Sequence, residues 1–481
     1  MQVGARTLTD REVITEIEEA AKPPERPRNQ ATEIIVSGRV WSAVWYLAWP
    51  TAINTLIQSA YGVVNTIFVG RLPHSTQAFA AVGIGSQALM FQFGMMIGLS
   101  AGTSALIARF LGGHKYEDAD KVMGQTVILS IIGGIFTAIP FIVFALPLAK
   151  IIGASGEAAR LATDYTALIA WFSVPMFLLV NITAALRAAG DMRGPLVVNG
   201  SVILINIFLD WLLILGNGPF PRMGVHGAAV ATSVSRVLGM LMAFGLLRRS
   251  VLKGGLYHLG FDWYWCKRIL NIGWPAAIQN LLFSTAAAGF RWVLGSLPEQ
   301  QVDPAQAALT VSLAIESVAF MPGIAYSMAA TPLVGQNLGA GKPERAEHSA
   351  WVAVSQAGAI MSSVALVFFL APEWLARMFT KEAAVASLVI SYLRINAISE
   401  PFLAVNMVLR GALQGAGDTR TPAIISVATM WVFRLPLAYL LANTLGYGAV
   451  GAWIAMSVTT CLSGILMALW FRWGTWRHIE V

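Results

Sequence analysis

The chain has 481 residues, 56% of them hydrophobic and only 12% charged, with a formal net charge of +7 and a mean hydropathy of +0.65. Soluble domains carry about a quarter charged residues, so this composition excludes an ordinary water-soluble enzyme or binding module. The basic balance does not call for a nucleic-acid partner, because the positive charges lie between long apolar runs.

Residues 1–40 read as a mobile, solvated arm, charged and Pro-bearing in "EEAAKPPERPRNQATE", with no apolar signal-peptide core before Ile34. Beyond the arm, apolar runs of about 20 residues recur, long enough to cross roughly 30 Å of hydrocarbon. Gly, Pro and charged breaks place twelve spans at 44–69, 78–109, 122–146, 161–187, 196–215, 227–248, 270–296, 306–335, 350–371, 384–411, 422–445 and 448–471. The fold class expected is an all-α integral membrane protein. A first lobe covers 41–248 (spans 1–6), a linker 249–268, a second lobe 269–472 (spans 7–12) and a tail 473–481. Of the 32 Lys and Arg, 22 fall in the arm, the tail and the loops of one side, and six in the loops of the other. That asymmetry puts both termini in the cytoplasm of a multi-pass protein of the inner or plasma membrane.

The sequence repeats itself. "LRAAGDMRGP" (186–195) returns as "LQGAGDTRTP" (413–422), 227 residues later, and "ARFLGGHK" (108–115) pairs with "GQNLGAGK" (335–342) at the same offset. "LAWP" (47–50) pairs with "NIGWP" (271–275), and "GVHGAAVATSVS" with "GAVGAWIAMSVT". Two six-span halves of equal sense imply a parallel pseudo-twofold axis along the membrane normal, an arrangement found in secondary transporters.

The repeat acts as an internal control on the polar residues within the spans. Asn65, Asn206 and Asp210 map to Phe290, Phe433 and Leu437, while Glu316 and Glu400 map back to Leu89 and Ser173. The scaffold therefore tolerates apolar residues at most of these places. A charge at membrane depth costs about 2.5–3.5 kcal/mol on insertion scales, so Asp210 in "NIFLDWLLILG" calls for a reason. Asn206 and Asp210 are spaced i, i+4 and share a helix face. Asn65, Asn206, Asp210 and Thr232 all fall at one depth, and they are expected to converge as an oxygen-rich cluster. There a carboxylate can exchange a proton or Na⁺ as water access alternates; the structural alternative is an Asp that ties helices together. Glu316 and Glu400 either line a cavity for cationic substrate or pair with Arg291, Arg394 or Arg434. "GMMIGLSAG" (Gly94, Gly98, Gly102) reads as a packing face, and "GQNLGAGK" as a helix end followed by a helix start. Cys266 is expected in a loop and Cys461 in span 12, with no metal or redox spacing.

Several motifs together resemble the multidrug and toxic compound extrusion (MATE) family: "P…Q…N.IFVGRL" (50–72), "NIFLD" followed by "GVHGAAVAT", "PLVGQNLGAGK" and "VLRGALQGAGDTR". The resemblance covers nearly the whole chain after residue 40. It implies ion-coupled export of organic, often cationic, compounds by alternating access between two lobes, with H⁺ or Na⁺ as coupling ion, no cofactor, small-molecule drugs as partners and a monomeric unit. The family's first-lobe cation site falls on Asn206, Asp210 and Thr232, with Na⁺ at Asp210 and Asn206 as the metal it would admit. Its span-1 acid falls on Asn65, an amide, which leaves Asp210 as the one clear acid there. The acids that some members use in spans 7 and 10 fall near Phe283 and Leu403, with Glu400 about one turn from the latter.

Two other readings remain at this point. Four Arg within spans against three acids would suit an exporter of anionic metabolites or lipid-linked precursors through an arginine-lined cavity. A membrane-embedded enzyme or channel belongs to another class, and no nucleophile–base pair or metal cluster at membrane depth supports one.

Overall fold

The computed structural model describes residues 30–70, 75–151, 156–216 and 223–479, with the side chains at 63, 65–67, 69, 70, 75–82, 84–89, 91, 148, 151, 157 and 158 outside the described set. Among the described residues the chain is helical, with no strand. Hydrocarbon supplies no hydrogen-bond partner, so every backbone group must be satisfied within its own segment. Spans 1–3 are Val40–Gly70, Ser75–Gly112 and Tyr116–Val143; spans 5–9 are Arg193–Leu213, Gly224–Arg249, Trp263–Gly295, Glu299–Gly339 and Pro343–Leu370; spans 11 and 12 are Arg420–Thr444 and Gly448–Trp473.

Spans 4 and 10 are broken, which the sequence reading did not anticipate. Gly156–Trp171 meets Ser173–Ala188 at 53°, and Ala383–Ala397 meets Glu400–Ala416 at 59°. A proline stands just past each break. A proline removes the hydrogen bond to the carbonyl four residues back and clashes with it. Pro175 does this to Trp171 and Pro401 to Ala397, the last residues of the two first pieces. By length and hydropathy alone, eight described helices can cross a membrane, or ten when each bent pair counts as one span. Val40–Gly70 and Trp263–Gly295, with 31 and 33 residues, complete the twelve.

The repeat is visible in the helix ends. Span 3 (Tyr116–Val143) and span 9 (Pro343–Leu370) are offset by 227 at both ends, and span 6 (Gly224–Arg249) and span 12 (Gly448–Trp473) by 224 at both ends. Gly190 and Gly417, also 227 apart, both adopt φ +90°, the left-handed conformation that ends a helix and favours glycine. The aspartates after them behave alike: Asp191 Oδ1 accepts from Gly194 N at 2.8 Å and Asp418 Oδ1 from Thr421 N at 3.0 Å, each capping the next helix. The "GD" of the repeated motif is thus turn chemistry. "GQNLGAGK" ends span 8 at Gly339 and starts span 9 at Pro343, with Gly341 at φ +69°.

Two placements differ from expectation. Residues 30–37, assigned above to a mobile arm, form the helix Gln30–Ser37, in which Ile35 is fully buried. Its last carbonyls are capped from the second half: Ile35 O accepts from Arg345 Nε at 3.2 Å and Val36 O from Lys342 Nζ at 3.2 Å, cations set favourably at a helix C-terminus. Cys266 lies inside span 7 and is buried, because Asp262 accepts from Tyr264 N at 2.9 Å and starts that helix at Trp263. At the other end of the chain, Ile479 O accepts from Arg109 at 2.6 Å and Arg477 pairs with Glu347 at 2.7 Å. Both described ends therefore gather at one membrane face, where spans 2 and 8 end.

The halves cross over. Span 1 packs on span 8 and span 7 packs on span 2, so each half lends its first helix to the other. The second contact is backbone on backbone, and the Gly stripe makes it possible. A Cβ on Gly102 would sit 2.1 Å from Ile269 O and one on Gly98 2.8 Å from Gly273 O, whereas one on Gly94 would have its nearest neighbour at 3.8 Å. Gly102→Ala is expected to destabilise the protein by about 1–3 kcal/mol through overpacking, and Gly94→Ala to leave it unchanged, read as thermal midpoints of the purified protein in one detergent.

Candidate functional site

Asn206 and Asp210 are buried at 3% and 1% exposure on one face of span 5. Span 6 supplies what faces them. Asn206 Nδ2 donates to Ser235 Oγ at 3.2 Å, and Ser235 Oγ donates in turn to the Thr232 carbonyl at 3.0 Å. The Tyr61 hydroxyl of span 1 lies within reach of the Thr232 side chain, and Asp210, Tyr165 of span 4 and Arg236 of span 6 surround it. Asn206, Asp210 and Thr232 thus come together in the first half. Asn65 lies on span 1, with its side chain outside the described residues.

Neither oxygen of Asp210 has a hydrogen-bond partner, nor does Asn206 Oδ1. Buried polar atoms are paired in the great majority of cases, and an unpaired one signals a strain reservoir, a functional role or a bound species. Three unpaired oxygens on two neighbouring side chains are a hard donor set, suited to a proton or to a small oxygen-seeking cation such as Na⁺. Among the described residues no group of three His, Cys, Asp or Glu could hold a metal ion. Arg236 belongs to the cluster with its Nη1 buried and unpartnered, so the cluster contains a tethered cation as well as an acid.

The second half carries its own cluster. Glu316 of span 8 and Glu400, first residue of the second piece of span 10, are buried at 5% and 1% exposure and face one another. Tyr392 Oη donates to Glu316 Oε2 and lies 3.6 Å from Met456 Sδ. Arg434 lies within electrostatic reach of Glu316, with its Nε and Nη2 donating to Thr459 and Thr460 at 2.8 Å each. Both carboxylate oxygens of Glu400 are buried, and the group is in hydrogen-bond reach of Glu316. Of the other arginines considered for these acids, Arg394 pairs instead with Glu373 at 2.6 Å and Arg291 is exposed.

Sequence reasoning did not assign roles to Tyr61, Tyr165, Ser235, Arg236 or Tyr392. The repeat held part of the signal. Tyr165 and Tyr392 are 227 apart, and at the span-6 offset of 224 Ser235 maps to Thr459, Arg236 to Thr460 and Thr232 to Met456. Each half therefore places a tyrosine from its broken span beside a seam between its last two spans, and closes that seam with one amide or guanidinium: Asn206 to Ser235 in the first, Arg434 to Thr459 in the second. The broken spans are tied in the same way, by Gln92 Nε2 to Ser173 Oγ at 2.7 Å in the first half and by the facing of Glu316 and Glu400 in the second.

Comparison with known proteins agrees with this architecture. The MatE family matches twice, over residues 50–212 and again over 275–440, one match in each half. A Thermotoga maritima protein described as a probable multidrug resistance protein NorM is 32% identical over 449 residues, covering 90% of this chain and 93% of its own. Among solved structures, a MOP-superfamily transporter from Pyrococcus furiosus, described as having a binding pocket of reverse polarity that suggests a different function, superposes with a TM-score of 0.84 at 26% identity, covering 93% of this chain and 98% of its own. A multidrug resistance MATE transporter in an outward-facing conformation superposes with the same score at 25% identity, covering 93% and 98%. With a repeated fold, two buried polar clusters and matches that span both halves, the chain belongs to the MATE family and is a multi-pass membrane transporter, not an enzyme.

Proposed function

We propose that the protein is a secondary active multidrug efflux antiporter that expels organic, often cationic, compounds in exchange for H⁺ or Na⁺. The observation that carries this reading is Asp210, sealed at 1% exposure with both oxygens unpartnered beside the unpartnered oxygen of Asn206. A coupling cation taken up there, with Thr232 beside it, favours whichever arrangement of the lobes binds it better, and that differential affinity is the whole of its leverage. The name given to the Thermotoga relative supports drug export as the task. In the second half, Glu316 and Glu400 supply acidity for a cationic substrate. The lobes are 41–248 and 269–472, joined by 249–268, and the unit acts as a monomer. The charge asymmetry favours a cytoplasmic location for the face where the described ends gather.

A second reading, export of anionic metabolites or lipid-linked precursors, has one observation in its favour: Arg236 keeps a buried, unpartnered Nη1 within the first-half cluster. A binding pocket of reverse polarity that suggests a different function is described for the Pyrococcus transporter. Uptake of a fluorescent organic cation into vesicles under imposed pH or Na⁺ gradients separates the two readings. Gradient-driven accumulation supports the first, and its absence alongside accumulation of an organic anion supports the second.

Asp210→Asn is expected to abolish gradient-driven transport while substrate binding and folding persist. The amide keeps size and hydrogen-bonding capacity but cannot titrate, and it holds Na⁺ far less strongly. Full coupled transport by the reconstituted variant would make Asp210 structural and move coupling to Glu316 or Glu400. Glu316→Gln and Glu400→Gln are each expected to weaken binding of a cationic substrate by about tenfold, the loss of one charge-assisted contact, read by equilibrium binding to purified protein. Unchanged affinity in both would leave that pair with a structural role.

A further inference from the structure

We propose that residues 474–479 form a clasp that holds the halves shut at the face where the described chain ends gather, with Arg109 as its catch, and that its strength sets how readily this face opens. The inference rests on the alternating access of the lobes read above. Spans 2 and 8 meet at their ends on this face, backbone on backbone. A Cβ on Gly112 would run into Gln336 O and one on Gly339 into Arg109 O. The two contacts are repeat counterparts, since Gly112 and Gly339, like Arg109 and Gln336, are 227 apart. A path between the halves is closed at this end, and an alternating transporter has to part these helix ends in every cycle.

The polar ties at this face also repeat, until the tail intervenes. Gln336 Nε2 donates to Ala188 O at 2.8 Å, at the end of span 4, and Arg109 Nη2 donates to Ala416 O at 3.2 Å, at the end of span 10. Each half thus caps the broken span of the other. Arg109 goes further. The same Nη2 donates to Ile479 O at 2.6 Å, in the segment that follows span 12. An amide at this position is enough to cap the helix end, as Gln336 shows, whereas the longer guanidinium, with five donors, reaches the tail as well.

The tail is itself a repeated element put to a second use. Span 6 is followed by a 3-10 turn at Lys253–Tyr257 and span 12 by one at Thr475–His478. Leu252 and Trp476, 224 apart, are both fully buried. Both turns dock on the third span of their own half at the same place: Gly254 lies against the Asp120 carboxylate, and Arg477 pairs at 2.7 Å with Glu347, 227 on from Asp120. Beyond that the two copies part. The first stays on its own half, where Gln125 Nε2 donates to Gly260 O at 2.6 Å, and runs on into span 7. The second is pinned to its half by Glu347 and by Trp476, stacked on Phe471 at 4.4 Å, and offers the Ile479 carbonyl to Arg109 of the first half. Docking of the turn accounts for Glu347 and Trp476, and the bond to Arg109 is what remains beyond it. An ion pair on one half and a charge-assisted hydrogen bond to the other make the tail a strap across the interface.

The test is a distance across this face, measured by pulsed electron spin resonance between labels on Lys115→Cys and Glu344→Cys, exposed residues beside the starts of spans 3 and 9, in the reconstituted full chain carrying Cys266→Ala and Cys461→Ala. Arg109→Gln is expected to enlarge the long-distance population about tenfold, the worth of one charge-assisted hydrogen bond. It copies the residue that serves at the counterpart position, so the cap on Ala416 persists. Arg477→Gln unpins the tail from Glu347 and leaves Trp476 in place; it should move the distribution the same way, and the two changes together should give less than the product of their separate effects. A second label pair within the first half, Lys115→Cys with Arg249→Cys, should keep its wild-type distance throughout. A wild-type distribution in Arg109→Gln overturns the proposal. So do fully multiplicative effects of the two changes, or a shift of the pair within the first half, which would mean that the half itself has loosened. The distances are read with no substrate present, so absence of drug transport in the vesicle assay would count against the export reading alone.

Discussion

Hydrocarbon offers no partner to a polar group, and the rest of this structure follows from that constraint. It forces the backbone into helices and makes hydroxyls bond back to their own helix, as Thr126 does to Val122 O at 2.8 Å, Ser130 to Thr126 O at 2.7 Å and Thr183 to Leu179 O at 2.8 Å. Side chains that cannot bond back reach across, as Gln279 does to Ser426 at 2.7 Å and Asn406 to Ser463 at 2.7 Å. Charged groups are the costliest to leave at membrane depth, and Asp210 and Arg236 both keep buried atoms without a partner within one cluster.

The repeat supplies a scaffold with two interchangeable places for polar groups, and the halves fill them differently. Both put a tyrosine at the broken span and a polar tie between the last two spans. The first half adds its acid on span 5, the second on spans 8 and 10. Span 11, the counterpart of span 5, also departs from regular α-helix, with π-helical turns at Ala428–Arg434 and Leu440–Thr444. Such turns widen a helix locally and concentrate at functional sites, and here one of them carries Arg434 toward span 12. The halves thus keep the helix plan while one polar cluster is built on regular helix and the other on a distorted one.

Much of this was legible in the sequence, for reasons that differ by residue. The spans follow from hydropathy, because crossing hydrocarbon fixes a minimum apolar length. Asn206 and Asp210 were legible because i, i+4 spacing fixes a shared face whatever the tertiary structure. The bends were not, since Pro50 and Pro322 sit inside helices that continue while Pro175 and Pro401 follow breaks; which proline ends a helix depends on packing around it. Tyr165 and Ser235 escaped because hydroxyls are common in spans and only the partner across the seam distinguishes them. The start of span 7 was misplaced because Asp262 hides among aromatic residues in "FDWYWCK", where a helix cap looks like loop composition.

The crossover of first helices bears on biogenesis. Span 1 finds its packing surface on span 8, and span 2 receives span 7 across a glycine contact that tolerates no added side chain. A ribosome delivers the chain in order, so span 1 enters the bilayer long before its partner exists. The first half must therefore persist for hundreds of residues of synthesis with its seam facing lipid, and assembly closes only after the second half arrives. Contacts so distant in sequence slow folding and leave a long window in which exposed helix faces can pair wrongly. The small residues along Gly98 and Gly102, which permit the final fit, also offer little area for a stray helix to grip before it.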